Sequence, residues 1–403
     1  MKQLYFKRCK TSGRPFTRKP NHMLSGHQQF VRSKTGGVLM GFLLQALLAM
    51  TASGQVKNVP SGTDIDAFVR ARMKELEIPG MAVAVIKNGK VVHQKTYGFG
   101  NLEWQTPLSV HSDFQIASCT KLLTSTLLIK MLFERRLSLE DPVSKYIDSI
   151  PVAWQPIKIK HLITHSSGLR NFSGDPYLST AAVVRALKDS TLEYTPGTGQ
   201  HYAQMDFMLL GYILEKIGGK SFPELLREEV LIPLGMTDGG FDMETKSGSI
   251  VSSKMMRQKV TTYYKAKAEI VPYKFLYPQF TYTAGGYFAS LYDLTNWVLG
   301  LDRATLFPQS FAQPYLYTRD SMQGKVSQYT KAGWILEREK DIQYTGHSGG
   351  PGLCDILRFR KEGYTFIVMS NDGELLPTFA RALAALYIKG LPAPWKIQKF
   401  DRE

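Results

Sequence analysis

The sharpest chemical signal in the chain is a serine and a lysine three residues apart, in Ser118-Cys119-Thr120-Lys121. On a helix, positions i and i+3 share a face, so the hydroxyl and the amine can meet. Lys121 is the only lysine of the chain with serine at i−3. Leu123, Leu127, Leu128, Met131 and Leu132 follow at helical spacing. That places Ser118 at a helix N-terminus, where free N–H groups and positive potential suit an oxyanion. A lysine withdrawn from water loses pKa and can act as a base on the serine. The chemistry implied is nucleophilic acyl transfer, and the plain alternative is a capping serine beside a solvated lysine.

Two later segments bear on that choice. Tyr194-Thr195-Pro196-Gly197-Thr198-Gly199-Gln200-His201-Tyr202-Ala203-Gln204 precedes a helix-like run with Leu209, Leu210, Ile213 and Ile217. A phenol such as Tyr202, placed near an ammonium, titrates low enough to move protons. Thr345-Gly346-His347-Ser348-Gly349-Gly350 follows a strand-like run and ends in glycines, which let the backbone approach a ligand closely.

Taken in this order, the three pieces resemble the serine β-lactamase-like family, which includes class C β-lactamases, DD-carboxypeptidases and related esterases. The family's S-x-x-K is matched by Ser118 to Lys121, its Y-x-N by Tyr202-Ala203-Gln204, and its K-T-G or H-x-G by His347-Ser348-Gly349. Leu137–Pro142, Ile159–Leu169 and Ala284–Tyr287 are also similar to the family, and the resemblance covers about residues 60–390. It implies an acyl-enzyme on Ser118, with Lys121 and Tyr202 sharing the proton traffic and His347 lining the opposite wall. It further implies an oxyanion site from the N–H groups of Ser118 and Gly350, with Gln204, Ser348 and Gly349 at the substrate. No metal and no organic cofactor is implied.

Two departures from the family pattern bear on substrate. Gln204 stands where asparagine is usual, one methylene longer, and His347 replaces the lysine of K-T-G. A neutral imidazole gives up a permanent cation that helps hold a substrate carboxylate. The expectation is an exported serine hydrolase of amides or esters, closer to DD-peptidases and esterases than to a specialised β-lactamase. Gln204 also motivates a second reading, a catalytically weak binding or sensor protein for cell-wall peptides; a transacylase is a third.

These residues need a scaffold, and hydrophobic periodicity outlines one. Thr63 and Asp66 read as a capping box before Ile65, Phe68, Val69, Met73 and Leu76 at helical spacing, with a stop at Pro79-Gly80. Met81–Ile86 and Val91–Tyr97 read as strands joined by an Asn88-Gly89 hairpin turn. Strands are expected at Gly333–Glu337, Ile342–Thr345, Leu353–Arg360 and Tyr364–Ser370, then a helix over Leu376–Ile388. The fold class is therefore α/β (α+β): one antiparallel sheet built from both termini and flanked by helices, plus an inserted, mostly helical lobe. The sheet lobe takes about 60–115 and 280–390, the helical lobe about 116–280, and the whole domain 55–403.

Charge and composition narrow the partners. Residues 1–54 carry nine Lys/Arg and no acid; without them 41 Lys+Arg face 34 Asp+Glu, a balance of +7 against +16 for the chain. The mildly basic remainder has no basic stripe interleaved with aromatics, so nucleic acid is not an expected partner. The basic segment, the apolar run Val38–Met50 and the small residues after it have the layout of a secretory signal peptide over 1–54, with an uncleaved anchor as the alternative. Secreted or periplasmic placement follows, with membrane contact only through that leader. Three cysteines are too few for a disulfide framework, although Cys119 and Cys354 form one conceivable pair.

Several look-alikes are set aside. Gly346–Gly350 also spells G-x-S-x-G, but no histidine follows His347 to complete an α/β-hydrolase triad in chain order. His161 and His165 stand at i, i+4 but lack the glutamate of H-E-x-x-H, and a structural role is expected for them. Cys119 lies about 100° around the helix from Ser118 and is expected to be buried.

Overall fold

Helix α1 (Gly62–Glu75) opens at Ser61, whose hydroxyl accepts the Asp64 N–H (3.2 Å) while the Asp64 carboxylate accepts the Ser61 N–H (2.8 Å). The capping box is thus Ser61/Asp64 rather than Thr63/Asp66. Thr63 lies inside the first turn, and Asp66 is engaged by the Tyr97 hydroxyl at 2.7 Å. The helix also stops before Pro79-Gly80, because Glu77 turns left-handed (φ 53°) just beyond the cap residue Leu76. This computed structural model describes residues 60–394 apart from 149, 188–189, 267–268, 351–352 and 376–377. The leader expected over 1–54 lies outside the described residues.

Strands β1 (Gly80–Lys87) and β2 (Lys90–Asn101) form the expected hairpin. Asn88 and Gly89 both have positive φ (48° and 71°), as a two-residue type I′ turn requires. The sheet continues with β3 (Thr106–Pro107), β4 (Arg319–Met322), β5 (Lys325–Thr330), β6 (Ile335–Glu339), β7 (Ile342–Gly349), β8 (Cys354–Phe359) and β9 (Tyr364–Ser370). Its order is β4-β5-β6-β7-β8-β9-β1-β2-β3, antiparallel at each pairing. The β1–β9 ladder, Met81↔Ser370 to Lys87↔Tyr364, joins the two ends of the domain in one sheet.

β1 is buried on both faces, so it reads as a continuous apolar run. Met81, Val83 and Val85 pack with Ile65 and Val69 of α1 and with Phe379 and Leu383 of α5 (Phe379–Tyr387). Ala82, Ala84 and Ile86 face the larger core, which holds α2 (Thr120–Phe133), α3 (Gln204–Gly218) and α4 (Leu291–Asp302).

The middle of the chain is less purely helical than its periodicity suggests. It contains the hairpins Thr245–Ser247/Ile250–Ser252 and Thr262–Ala266/Glu269–Tyr273. A small sheet of Phe114–Gln115, Tyr287–Ala289 and Gly240–Phe241 joins distant segments. α2 also differs from expectation: from Thr120 to Ile129 every residue is buried, so it is a core helix rather than a one-sided amphipathic one. Its hydroxyls are paired, Thr124 donating to Thr283 O (2.7 Å) and Ser125 to Ala332 O (2.6 Å). Among the described residues no helix is long and apolar enough to cross a membrane.

Candidate active site

The site begins at an elbow between strand and helix. Ile116 donates its N–H to Tyr287 O (3.0 Å), and Ala117 then adopts a left-handed φ of 45°. A non-glycine residue holds that conformation only where its surroundings over-determine it, and such residues cluster at functional sites. One 3₁₀ turn, Ala117–Cys119, leads into α2, so Ser118 lies within the turn and Cys119 precedes the helix. From residue 112 to 129 only Ser118 is not buried. Cys119 points inward, donating its thiol to His347 O (3.1 Å), and both it and Cys354 are free and buried, so they form no bridge.

Lys121 is brought to Ser118 as its spacing predicts. Its side chain is 1% exposed, with Nζ 3.5 Å from Ser118 Oγ and 2.7 Å from Ala284 O, to which it donates. The amine also lies 4.8 Å from the Tyr202 ring centroid and 5.1 Å from that of Phe207. Burial pulls its pKa from 10.5 down to about 7, against smaller opposing effects of Cys119 and Asp206. An amine that gives one N–H to a carbonyl still has a lone pair for a second neighbour.

Tyr202 closes the triangle. Its hydroxyl lies 2.8 Å from Ser118 Oγ, across 84 residues of chain. It stands just before α3, whose first residue is Gln204 and whose cap residue is Ala203. The Gln204 N–H donates to Asn171 Oδ1 (2.9 Å), while Gln204 Oε1 is buried with no hydrogen-bond partner among the described residues.

The opposite wall is the end of β7, which runs on to Gly349 instead of stopping at Thr345. Histidine, serine and glycine are poor strand formers, but the ladder to β8 (His347↔Ile356, Gly349↔Cys354) overrides that preference. His347 is buried; its ring lies 6.3 Å from that of Tyr202, and its Nδ1 is 2.7 Å from Ser348 O. Burial and the nearby Lys121 push its pKa down to about 3, so the imidazole is neutral. The Ser348 hydroxyl donates to the buried Asp355 (2.8 Å), whose carboxyl burial pushes up to about 8. Gly349 is required by packing, because a Cβ there would stand 2.1 Å from Ile116 O. Gly350, next along, is exposed and open on its Cβ side.

Ala284, Asn171 and Asp206 carry no assigned role in the sequence reading, and His165 carries only an unspecified structural one. Ala284 and His165 fall in stretches similar to the family, but nothing local assigns them a task. His165 does not pair with His161 on a helix, since that helix ends at Ile163 and His165 is left-handed (φ 56°). His161 Nδ1 instead accepts the Lys158 N–H (3.2 Å), and His165 Nδ1 lies 3.0 Å from Asp206 Oδ2.

Comparison with known proteins bears on fold and ancestry. The chain is 25% identical over 347 residues to Protein flp of Staphylococcus aureus (strain COL), covering 80% of this chain and 66% of that protein. It thus spans just under two thirds of that relative's length. It is 23% identical to the putative penicillin-binding protein PbpX of Bacillus subtilis (strain 168), covering 80% and 77% of the two chains. The octameric penicillin-binding protein homologue from Pyrococcus abyssi has the same fold, with a TM-score of 0.68, 25% identity and coverage of 80% and 77%. D-amino acid amidase from Ochrobactrum anthropi SV3 shares the fold at 19% identity, with a TM-score of 0.64 over 81% and 96%. A family model described as Beta-lactamase matches residues 65–388, and on that match, with the elbow serine and its lysine in the matched region, this chain belongs to the beta-lactamase family.

Proposed function

We propose that this protein is a serine hydrolase that forms an acyl-enzyme on Ser118 with amide or ester substrates. The observation that carries the reading is the triangle of Ser118 Oγ, Tyr202 hydroxyl at 2.8 Å and Lys121 Nζ at 3.5 Å. Lys121, with its pKa near 7, is unprotonated in a substantial fraction at neutral pH and takes the Ser118 proton. Ser118 Oγ then bonds to the substrate carbonyl carbon, whose oxygen becomes an oxyanion held by the N–H groups of Ser118 and Gly350. As the tetrahedral adduct collapses, the Tyr202 hydroxyl gives its proton to the leaving amine or alcohol, and the Lys121 ammonium reprotonates Tyr202. Water repeats the sequence on the acyl ester, with the same groups in reverse roles.

Substrate preference follows from the β7 wall. A neutral His347 and a Ser348 hydroxyl directed at Asp355 supply no cation there. That wall supports DD-peptidase-like, esterase-like or amidase-like substrates over a specialised β-lactamase. Cell-wall peptides and small esters are the proposed partners, and export through the amino-terminal leader belongs to the same proposal.

The test is intact-mass spectrometry after exposure to a panel of penicillins and nitrophenyl esters. One acyl adduct is expected on the parent and none on Ser118→Ala, while Ser348→Ala acylates more slowly but detectably. Absence of adduct and of turnover in the parent would instead favour a binding or sensor protein.

The pH dependence has a definite sign. Because Lys121 must be unprotonated, kcat/KM for a non-ionising ester should fall as pH drops through about 7, by roughly tenfold per unit below it. A profile flat from neutrality down to mildly acidic pH would contradict Lys121 as the base.

A further inference from the structure

His165 touches the chain on both sides of Tyr202. Its carbonyl accepts the His201 N–H (3.0 Å), and its Nδ1 accepts the Ala203 N–H (3.4 Å). Between those two points its ring packs on the Tyr202 ring, with centroids 4.5 Å apart and planes at 43°. Three contacts from one residue therefore bracket the side chain whose hydroxyl stands 2.8 Å from Ser118 Oγ. His165 is fully buried, lies against Phe207 and Tyr329 as well, and holds a left-handed backbone.

Asp206 fixes the ring in turn. Lying in the first turn of α3 and 1% exposed, it places Oδ2 3.0 Å from His165 Nδ1, while Oδ1 accepts the Ser167 hydroxyl. Burial drives the Asp206 carboxyl well above its usual range and the His165 imidazole well below its own. Both shifts favour uncharged partners, with the carboxyl O–H at 3.0 Å as the main donor to the single Nδ1 lone pair and the Ala203 N–H at 3.4 Å the weaker one sharing it.

We propose that His165 and Asp206 are positioning residues for Tyr202, a buried pair that holds the phenol in line with Ser118 Oγ. The inference rests on the acyl-enzyme reading above, and its consequences fall on the rate of proton transfer rather than on substrate affinity. A phenol free to rotate off the serine would leave binding intact and slow each step that moves a proton through it.

The experiment uses the full chain with 4-nitrophenyl acetate as probe, with rates expressed per serine titrated by the burst. His165→Asn tolerates the left-handed backbone but lacks the ring; Asp206→Ala removes the partner of Nδ1. Each is expected to lower kcat by about thirtyfold or more while KM stays within about threefold. Asp206→Asn, whose amide can donate to Nδ1 and accept from Ser167, is expected to stay within about threefold of the parent kcat. In a Tyr202→Phe background, His165→Asn should cost less than about threefold, because its effect runs through the missing hydroxyl. Full additivity in that cycle, or a kcat within about threefold of the parent in His165→Asn, would overturn the proposal. If Asp206→Ala does not fold, the cycle and the Asp206→Asn rescue decide. A parent that gives no burst and no Ser118 adduct would overturn the acyl-enzyme reading itself, an outcome distinct from an active parent with indifferent variants.

Discussion

Lys121→Met is expected to slow acylation of Ser118 by orders of magnitude and, at the same time, to raise the melting temperature. The lysine is 1% exposed, and its amine has one carbonyl, Ala284 O at 2.7 Å, to receive a charge-assisted hydrogen bond. Burial lowers its pKa from 10.5 to about 7. At ~1.4 kcal/mol per unit, keeping an ammonium there costs the folded state on the order of 5 kcal/mol. The folded pKa lies below the unfolded one, so the folded state binds fewer protons between about 7 and 10.5. Stability therefore rises with pH across that window, and the cost is greatest below about 7.

Methionine has similar reach and no charge, and it leaves only Ala284 O without its partner, a loss of ~1–3 kcal/mol. The net gain at mildly acidic pH is a kcal/mol or more and should shrink as pH rises toward the free lysine value. Loss of the base should lower the acylation rate by about 10²–10⁴-fold. Thermal melts and burst kinetics on the same preparation test both halves. A variant that acylates within about tenfold of the parent rate, or that melts lower than the parent in mild acid, would remove Lys121 from the role assigned to it. With the expected outcome, the natural lysine is a case of activity held against stability.

Gly349→Ala should be nearly as damaging, for a steric reason. The added Cβ would stand 2.1 Å from Ile116 O and 3.3 Å from the Ala117 side chain. Both belong to the elbow that carries Ser118, so β7 and the elbow must part. Overpacking of this kind costs ~1–3 kcal/mol, and a displacement of about 1 Å at reacting groups costs about 10²-fold in rate. Gly350→Ala is the control, since among the described residues nothing lies within 4 Å of its Cβ position. Gly349→Ala is expected to lower the melting temperature by several degrees and to suppress the burst, while Gly350→Ala melts like the parent. An unchanged burst in Gly349→Ala would show that the wall and the nucleophile are not held together as described.

How much of this was legible in one dimension depends on the length of chain each contact spans. Ser118 and Lys121 are one helical turn apart, so their meeting follows from helix geometry. The β1–β2 hairpin was equally readable, because Asn88-Gly89 supplies both left-handed positions of its turn. β9 matches its apolar run end to end, and α5 lies within the expected closing helix. Even the capping box was misplaced by only two residues, since several Ser/Thr/Asp residues compete near one helix start.

Long-range packing decided the rest. β4 and β5 close one edge of the sheet with polar sequences that carry little apolar alternation, and pairing of β4 with β5 and of β5 with β6 makes them strands. α2 has the same leucines in either case, but the surrounding helices and sheet bury its threonines and serine as well. Tyr202 reaches Ser118 across 84 residues and Lys121 reaches Ala284 O across 163. The low pKa of that lysine, the neutrality of His347 and the pairing of His165 with Asp206 come from burial inside the assembled fold. Residue order specified which groups are present and which are one turn apart; desolvation and close approach between distant segments gave those groups their working state, because both depend on what the folded chain places around them.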